Sequence, residues 1–247
     1  AKRLGARTFA VVNAVGSTIA READDVLYTW AGPEIAVATT KAYSTQLTAI
    51  YLLSLHMADA LGRLSAEQNQ AIQKALLELP DNVEKILQNK EEIQHMASLH
   101  YNSKSVFFLG RALDYAVALE GSLKLKEISY IHSEAYAAGE LKHGTIALIE
   151  EGTLVIALCT VDALFDKMLS NIKEVKARGA VVIAVAKEGH TAIAQEADCV
   201  VYVPDSHDVV MPSEVVIPLQ LFSYYVASLK GLDIDKPRNL AKSVTVE

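Results

Sequence analysis

The sequence of 247 residues has few of the features that mark disulfide-rich, membrane-spanning or nucleic-acid-binding proteins. Its two cysteines, Cys159 and Cys199, form no metal-ligand spacing and no disulfide framework. Lys and Arg number 23 against 30 Asp and Glu, and the resulting net charge of −7 argues against a nucleic-acid partner. The most apolar long stretch, residues 49–61, is too short and too polar to cross a bilayer, so it predicts a buried helix.

The composition that remains is typical of a globular protein. With 51% hydrophobic and 21% charged residues, the chain can bury a sizeable core. Both cysteines lie in apolar runs, so we expect two buried thiols, a reducing compartment and a cytoplasmic protein. We expect no metal and no organic cofactor, because none of their binding motifs occurs.

Short β-branched runs alternate with longer helical patterns along the chain. Most runs are apolar at nearly every position, as in strands buried on both faces of a parallel sheet. The predicted strands are 8–13, 25–30, 105–110, 153–159, 180–186 and 198–204. The predicted helices are 33–62, 65–79, 81–100, 112–131, 163–178 and 214–230. This alternation predicts an α/β fold with ligand sites at the carboxyl ends of strands.

An internal repeat divides the chain into two related units. Residues 5–28 align without a gap on residues 179–202, with 11 identities in 24 positions. The second unit begins near residue 105, whereas only four residues precede Gly5 in the first. If the copies are equivalent, the first unit is truncated at its amino terminus. Residues 65–100, helical and broken by Pro80, connect the two units.

One predicted helix carries a carboxylate–ammonium pattern. Glu120, Lys124 and Glu127 share a helical face behind the strand at 105–110. A carboxylate beside an ammonium near the end of a parallel strand suits proton abstraction next to a carbonyl. The same spacing is also typical of an ion-paired, solvated surface. Spacing alone leaves both interpretations open.

Two further residue types suit carbonyl chemistry but are unspecific by themselves. His143 lies in a Lys-His-Gly turn that we expect to precede an apolar strand, and an imidazole there could transfer protons, although a lone loop histidine is often structural. Lys242 lies in the tail DKPRNLAKSVTVE, and a lysine amine can form a Schiff base with a sugar carbonyl. The tail could equally be a frayed terminus.

The run at 32–41 opens the first long helix of the prediction. Pro33 suits a first helical turn, and the hydroxyls of Thr39 and Thr40 suit capping or sugar contact. The loop CTVDAL after the strand at 153–159 is poor in Gly and Ser and does not resemble a phosphate cradle.

Two stretches together resemble one enzyme family. ALEGSLKLKEISYIHSEAYAAGELKHG and the terminal PRNLAKSVTVE are similar to glucosamine-6-phosphate synthase, and the resemblance covers essentially the whole chain. It implies conversion of fructose 6-phosphate and ammonia to glucosamine 6-phosphate without a cofactor. It also implies two flavodoxin-like sugar-isomerase (SIS) units with parallel sheets flanked by helices, preceded by a glutaminase domain that is absent here. The implied layout is 1–64 for the end of the first unit, 65–100 for a helical linker, 101–233 for the second unit and 234–247 for a catalytic tail.

The resemblance assigns roles residue by residue. Glu127 matches the base that moves a proton between C1 and C2, and Lys124 matches a residue that supports this step. His143 matches a ring-opening histidine supplied by the neighbouring subunit of a homodimer. Lys242 matches the lysine that forms a Schiff base with the sugar. The matching sugar-contact positions are Val37, Thr39 and Ala241.

Departures from the family pattern limit what this segment should do alone. Thr145 stands where the family often has Pro, and Thr39 where Ser is common. The family's Ser/Thr-rich phosphate loop belongs to the part missing from the first unit, so we expect the segment alone to be nearly inactive. The alternatives are another SIS isomerase or deglycase, which would not need ammonia, and a sugar-phosphate sensor that binds without turnover.

Overall fold

The computed structural model describes residues 1–243, so residues 244–247 of the predicted catalytic tail lie outside the described residues. The strands are β1 Phe9–Val12, β2 Asp25–Tyr28, β3 Ser105–Gly110, β4 His132–Ala137, β5 Leu154–Cys159, β6 Val181–Lys187 and β7 Cys199–Val203. The α-helices are α1 Thr18–Glu22, α2 Lys41–Ala60, α3 Ala66–Gln88, α4 Lys90–His100, α5 Leu113–Ser129, α6 Phe165–Lys176 and α7 Met211–Leu229. Short 3-10 helices lie between several of these elements.

Two parallel sheets confirm the predicted α/β fold. The second unit has a five-stranded sheet in the order β4-β3-β5-β6-β7, which is the doubly wound order of flavodoxin-like folds. The strands β3, β5, β6 and β7 are nearly continuous apolar runs because helices cover both faces of the sheet. The helices α4, α5 and α7 cover one face, and α6 covers the other.

The first unit has a two-stranded parallel sheet of β1 and β2, with Phe9 paired to Asp25 and Val12 to Tyr28. The strands β6 and β7 occupy the corresponding places of the second unit and are also parallel neighbours. The internal repeat therefore aligns structurally equivalent strand pairs.

Helix α2 corrects the prediction of a buried helix at 49–61. Its buried residues are Ala49 and Tyr51, while Leu52 and Met57 are more than half exposed. The equivalent helix α7 is buried over most of its length because α5 and the five-stranded sheet pack against it. Helix α2 packs instead against parts of α3 and α7.

Several predicted boundaries and elements are wrong. Pro80 does not break the linker, since α3 continues through it to Gln88 and the break comes at Asn89. Leu79 and Ile86 are buried on either side, and this packing outweighs the loss of one backbone hydrogen bond. The expected strand after Lys-His-Gly is a 3-10 helix at Thr145–Leu148. Cys159 is buried as expected, but Cys199 is only partly buried. Within residues 1–243, no helix is long and apolar enough to span a membrane.

Candidate active site

The last turns of α5 hold a buried ammonium between two carboxylates. The Nζ atom of Lys124 lies 2.5 Å from Oε2 of Glu127 and 3.5 Å from Oε1 of Glu120. The Lys124 side chain is only 4% exposed, so the interpretation as a solvated surface face is wrong. A charge is buried at high cost unless opposite charges compensate it, which both carboxylates do here.

The buried carboxylate oxygen of Glu127 has one charged neighbour. Its Oε2 atom lies against the Lys124 ammonium and makes no further hydrogen bond among the described residues. Burial raises the pKa of Glu120 against the opposing effect of Lys124, and the charge of Glu127 raises it further. Burial and the charge of Glu120 together raise the pKa of Tyr43 on α2 to about 12. The site is therefore electrostatically negative around a single buried cation.

The position of this cluster differs from the prediction. A helix that follows a parallel strand runs back along the sheet, so only its first turn lies at the carboxyl ends of the strands. Glu127 lies in the last turn of α5, at the level where β3 begins rather than where it ends. The cluster therefore faces the first unit instead of the ligand edge of its own sheet.

The segment 33–40 of the first unit is a loop and not the start of a helix. Helix α2 begins at Lys41, and Thr40 provides no side-chain cap. The cap comes from Glu34, whose Oε1 atom accepts hydrogen bonds from the backbone N–H groups of Thr40 at 3.0 Å and Ala42 at 3.4 Å. Pro33 therefore lies outside the helix. Its carbonyl oxygen accepts a hydrogen bond from the Lys41 amine at 2.8 Å.

The carboxy-terminal tail lies against this loop. The amine of Lys242 donates to Oε2 of Glu34 and to the carbonyl oxygen of Ala36, both at 2.8 Å, and lies 3.5 Å from Oγ1 of Thr39. The backbone N–H of Val37 donates to the carbonyl oxygen of Asp235 at 2.9 Å. The tail is therefore ordered as far as it is described and is not a frayed end.

A second contact ties the tail to α5. The hydroxyl of Tyr130, which follows the last turn of α5, accepts a hydrogen bond from the Arg238 backbone at 2.8 Å. The Arg238 guanidinium lies over the Tyr130 ring, 4.2 Å from its centroid. Ala38 of the loop, Ile128 of α5 and Ala227 of α7 form one small buried cluster. Loop, tail and the end of α5 thus meet at the junction of the two units.

The predicted site residues fall into two groups. Within one chain, Lys124 and Glu127 lie beside the junction that also holds Val37, Thr39 and Lys242. Ala241 is exposed next to Lys242. His143 is separate: it is exposed in a short 3-10 helix beyond the end of β4. A six-residue strand rises roughly 17 Å between the level of Glu127 and that end.

Sequence reasoning missed two contributors to this junction. Glu34 lies in the run at 32–41, but no role could be assigned to it from the sequence, because the lysine that it contacts is 208 positions away. Tyr130 lies in the stretch ALEGSLKLKEISYIHSEAYAAGELKHG, but its side chain reaches the tail because its backbone is left-handed, with φ 60. The sequence does not indicate that conformation. A polar residue just before a helix that lacks its own cap was the available signal for Glu34.

Comparison with known proteins places the chain in a family. A family model described as "SIS domain" matches residues 1–56 and 99–230. The whole chain is 63% identical over 247 residues to a glutamine–fructose-6-phosphate aminotransferase (isomerizing) of Caldanaerobacter subterraneus subsp. tengcongensis, and 60% identical to one of Clostridium tetani. It spans 41% of the length of each of these curated relatives.

Solved structures show the same likeness. The C-terminal domain of the Francisella tularensis glucosamine-fructose-6-phosphate aminotransferase is 39% identical with a TM-score of 0.89, over 93% of this chain and 65% of that one. A glucosamine-6-phosphate deaminase of Thermotoga maritima is 27% identical with a TM-score of 0.72, over 96% of this chain and 66% of that one. The matched residues, the tandem parallel sheets and these similarities show that the chain belongs to the SIS domain family.

Proposed function

We propose that this chain is the sugar-phosphate part of a glutamine–fructose-6-phosphate aminotransferase, which converts fructose 6-phosphate and ammonia to glucosamine 6-phosphate. The observation that carries this proposal is the meeting of the Lys242 amine with the loop 34–39 beside the end of α5 that bears Glu127. An amine for imine formation and a carboxylate for proton transfer are the groups that this amination requires.

The proposed chemistry assigns one task to each group. The neutral Lys242 amine attacks the ketone carbon C2 and, after loss of water, forms an imine. Ammonia then displaces the lysine, so that the sugar carries the new C2–N bond. The imine acidifies the C1 hydrogens, and Glu127 removes one as a proton, so that C1 and C2 become an enaminol as the nitrogen takes up a proton. Return of the proton to C2 and loss of the C1 hydroxyl proton give the aldose with its amine at C2. Lys124 stabilises the carboxylate of Glu127 before the first transfer and after the second.

The sugar-contact roles of Val37, Thr39 and Ala241 belong to the same proposal. Thr39 supports it, because its hydroxyl is only 3.5 Å from the Lys242 amine and so borders the place where the sugar carbon would lie. The division into 1–64, 65–100, 101–233 and 234–247 also remains our proposal. The partners that it requires are a sugar phosphate and an amino-terminal glutaminase domain.

We further propose that His143 acts in the site of a second copy, where it opens the sugar ring. Its exposure and its distance along β4 from Glu127 support this, since an imidazole must lie within hydrogen-bond reach of the atom that it serves. A homodimer with a two-fold axis would exchange this residue reciprocally. A cytoplasmic location is also proposed, because the cysteines form no disulfide framework.

The test uses a chimera in which this chain replaces the matching 41% of the Caldanaerobacter relative. We expect the chimera to form glucosamine 6-phosphate from fructose 6-phosphate and ammonia. Glu127→Gln removes the proton acceptor but keeps the size of the side chain, and it should lower the rate by about a hundredfold or more. The affinity for the sugar phosphate should change little, as calorimetry would show.

Lys242→Arg tests the imine separately. Borohydride should trap fructose 6-phosphate on Lys242 in the parent chimera and leave no adduct in this variant, as peptide mass spectrometry would detect. Lys90→Arg, on an exposed part of α4, is the matched control and should keep both the adduct and the rate. Full activity after either Glu127→Gln or Lys242→Arg would exclude the proposed mechanism.

The similarity to the Thermotoga deaminase favours a second candidate, an SIS enzyme that acts on an amino sugar phosphate without adding ammonia. The two functions differ in their dependence on ammonia. Product formation by the chimera that needs ammonia supports the aminotransferase. Release of ammonia from glucosamine 6-phosphate by a chimera that forms no product from fructose 6-phosphate and ammonia supports the second candidate.

A further inference from the structure

We propose that Glu34 is a positioning residue, which holds the amine of Lys242 at the junction between the two units. The proposal rests on the proposed function and adds a residue to it. Glu34 lies in the loop before α2 and Lys242 in the tail, and no sequence spacing connects them. The contact between their side chains is the only direct ion pair between the tail and the first unit within residues 1–243.

The carboxylate of Glu34 is fixed by the helix that it caps. Its Oε1 atom accepts hydrogen bonds from two groups of Thr40, the backbone N–H and, at 3.4 Å, the side-chain hydroxyl. It also accepts one from the backbone N–H of Ala42. Its Oε2 atom remains for Lys242, at 2.8 Å. The side chain is only 7% exposed. The carboxylate therefore has one orientation, set by the start of α2, and water cannot readily replace it.

The loop surrounds the ammonium with acceptors, although the Lys242 side chain is 41% exposed. A lysine ammonium has three N–H donors, and the loop offers it three acceptors: Oε2 of Glu34, the carbonyl oxygen of Ala36 and Oγ1 of Thr39. Charge-assisted hydrogen bonds of this kind are stronger than neutral ones. The amine is therefore placed by three groups of one loop rather than by its own flexible side chain.

Glu34 holds the amine and does not serve as its base. Burial works against ionisation of Glu34, but hydrogen bonds from Lys242, Thr40 and Ala42 outweigh burial and lower its pKa. A carboxylate that stays ionised is a weak proton acceptor near neutral pH. An amine that is held by three acceptors as an ammonium has no lone pair with which to attack a carbonyl. The sugar must displace this contact before Lys242 can react.

The experiment measures the reactivity of Lys242 in the 247-residue chain without any sugar. The chain is acetylated at pH 8, and peptide mass spectrometry follows Lys242 and the exposed Lys90 on α4 as an internal reference. We expect Lys242 to react at least about threefold more slowly than Lys90. Glu34→Gln, which keeps the Oε1 acceptor for α2, should speed the labelling of Lys242 by about three- to tenfold and leave Lys90 unchanged.

Glu34→Asp distinguishes holding from general stabilisation. It keeps the charge but shortens the side chain, so the carboxylate cannot reach both the start of α2 and Lys242, and Lys242 should react at an intermediate rate. Equal rates for Lys242 and Lys90 in the unaltered chain would overturn the proposal, whether or not the variants fold. The labelling uses no sugar, so its result does not depend on the proposed function. If Lys242 is labelled slowly but the chimera is inactive, the contact with Glu34 is established and the proposed function is contradicted.

Discussion

Ala112, the residue before α5, has a backbone conformation that side chains rarely adopt. Its φ of 51 and ψ of −121 lie in a region that favours glycine, and such conformations cost roughly 1–3 kcal/mol. We expect Ala112→Gly to raise the free energy of unfolding by about 1 kcal/mol. A thermal melt followed by circular dichroism should show a rise of about 2–4 °C.

Ala71→Gly is the matched control for this prediction. Ala71 is exposed in the interior of α3, where glycine is about 1 kcal/mol less favourable than alanine. The same replacement should therefore have opposite signs at the two positions. If Ala112→Gly also lowered the melting temperature, the backbone at Ala112 would carry no strain.

Lys124 is the buried charge that holds two carboxylates together at the end of α5. Its ammonium is almost fully buried, so removing it would leave Glu120 and Glu127 as unpaired carboxylates inside the protein. The helical spacing of the three residues correctly predicted that they share a face. Burial of that face depends on α2 and α7, which no spacing within α5 can indicate.

Helices α3 and α7 are joined by a buried polar contact. Glu214, in the first turn of α7, is fully buried, and its Oε1 atom accepts from the Asn82 side chain of α3 at 3.0 Å. Its Oε2 atom has no hydrogen-bonding partner among the described residues. Burial raises the pKa of Glu214, and the hydrogen bond from Asn82 opposes that rise without cancelling it. The linker is thus connected to the second unit through a carboxyl group whose pKa is raised by burial.

This contact predicts a pH-dependent stability. A raised pKa in the folded state means that folding favours the protonated carboxyl, so stability is lost as pH rises from the ordinary value of 4.5 through the folded value. Glu214→Gln mimics the protonated group and removes this loss. We expect the variant to gain free energy of unfolding relative to the unaltered chain as pH rises through that window.

Urea denaturation at a series of pH values measures the difference. The control is Glu84→Gln on the exposed side of α3, which removes a carboxyl that is not buried. A constant difference between Glu214→Gln and the unaltered chain at every pH would contradict the prediction, because it would show that Glu214 has the same proton affinity in both states.

The candidate active site belongs to the junction of the two units and to neither unit alone. The first unit contributes the loop 33–40, the second unit the end of α5, and the tail returns to the first unit. Parallel sheets usually bind ligands at the carboxyl ends of their strands, and the loop after β2 lies at that edge of the first unit. The two units therefore contribute different elements to the junction: the first gives a loop at the carboxyl end of a strand, and the second gives the end of a helix.

Mixing two inactive chimeras tests whether His143 acts across copies. One carries His143→Ala and the other Glu127→Gln, and their subunits are exchanged in mild denaturant. If the site is shared, random pairing should restore about a quarter of the parent activity, since half of the dimers are mixed and each holds one intact site. The control mixes the His143→Ala chimera with a chimera that carries both His143→Ala and Glu127→Gln. This mixture should restore no activity, because neither subunit has His143. Failure of the first mixture, with exchange verified by mass, would place His143 in its own subunit's site.

Most of the strands could be predicted because each depends on a local run of apolar residues. The strand β3 has the predicted bounds of 105–110, the prediction for β5 differs by one residue at its start, and that for β6 is shifted by one residue at both ends. The strand β4 was missed because HSEAYA has neither a β-branched run nor strict alternation. It forms because Tyr130 turns the chain back beside β3, so its pairing is a tertiary effect.

Local sequence was therefore sufficient to predict the α/β class, the duplication and the shared face of Glu120, Lys124 and Glu127. Each of these depends on periodicity or self-similarity, which can be read directly from the order of the residues. Which surfaces meet was decided by the tertiary structure. The burial of Lys124, the contact of Glu34 with Lys242 and the separation of His143 depend on how α2, α5 and the tail pack together. Residues 208 positions apart share no pattern, so only the packing of the two units could make them neighbours.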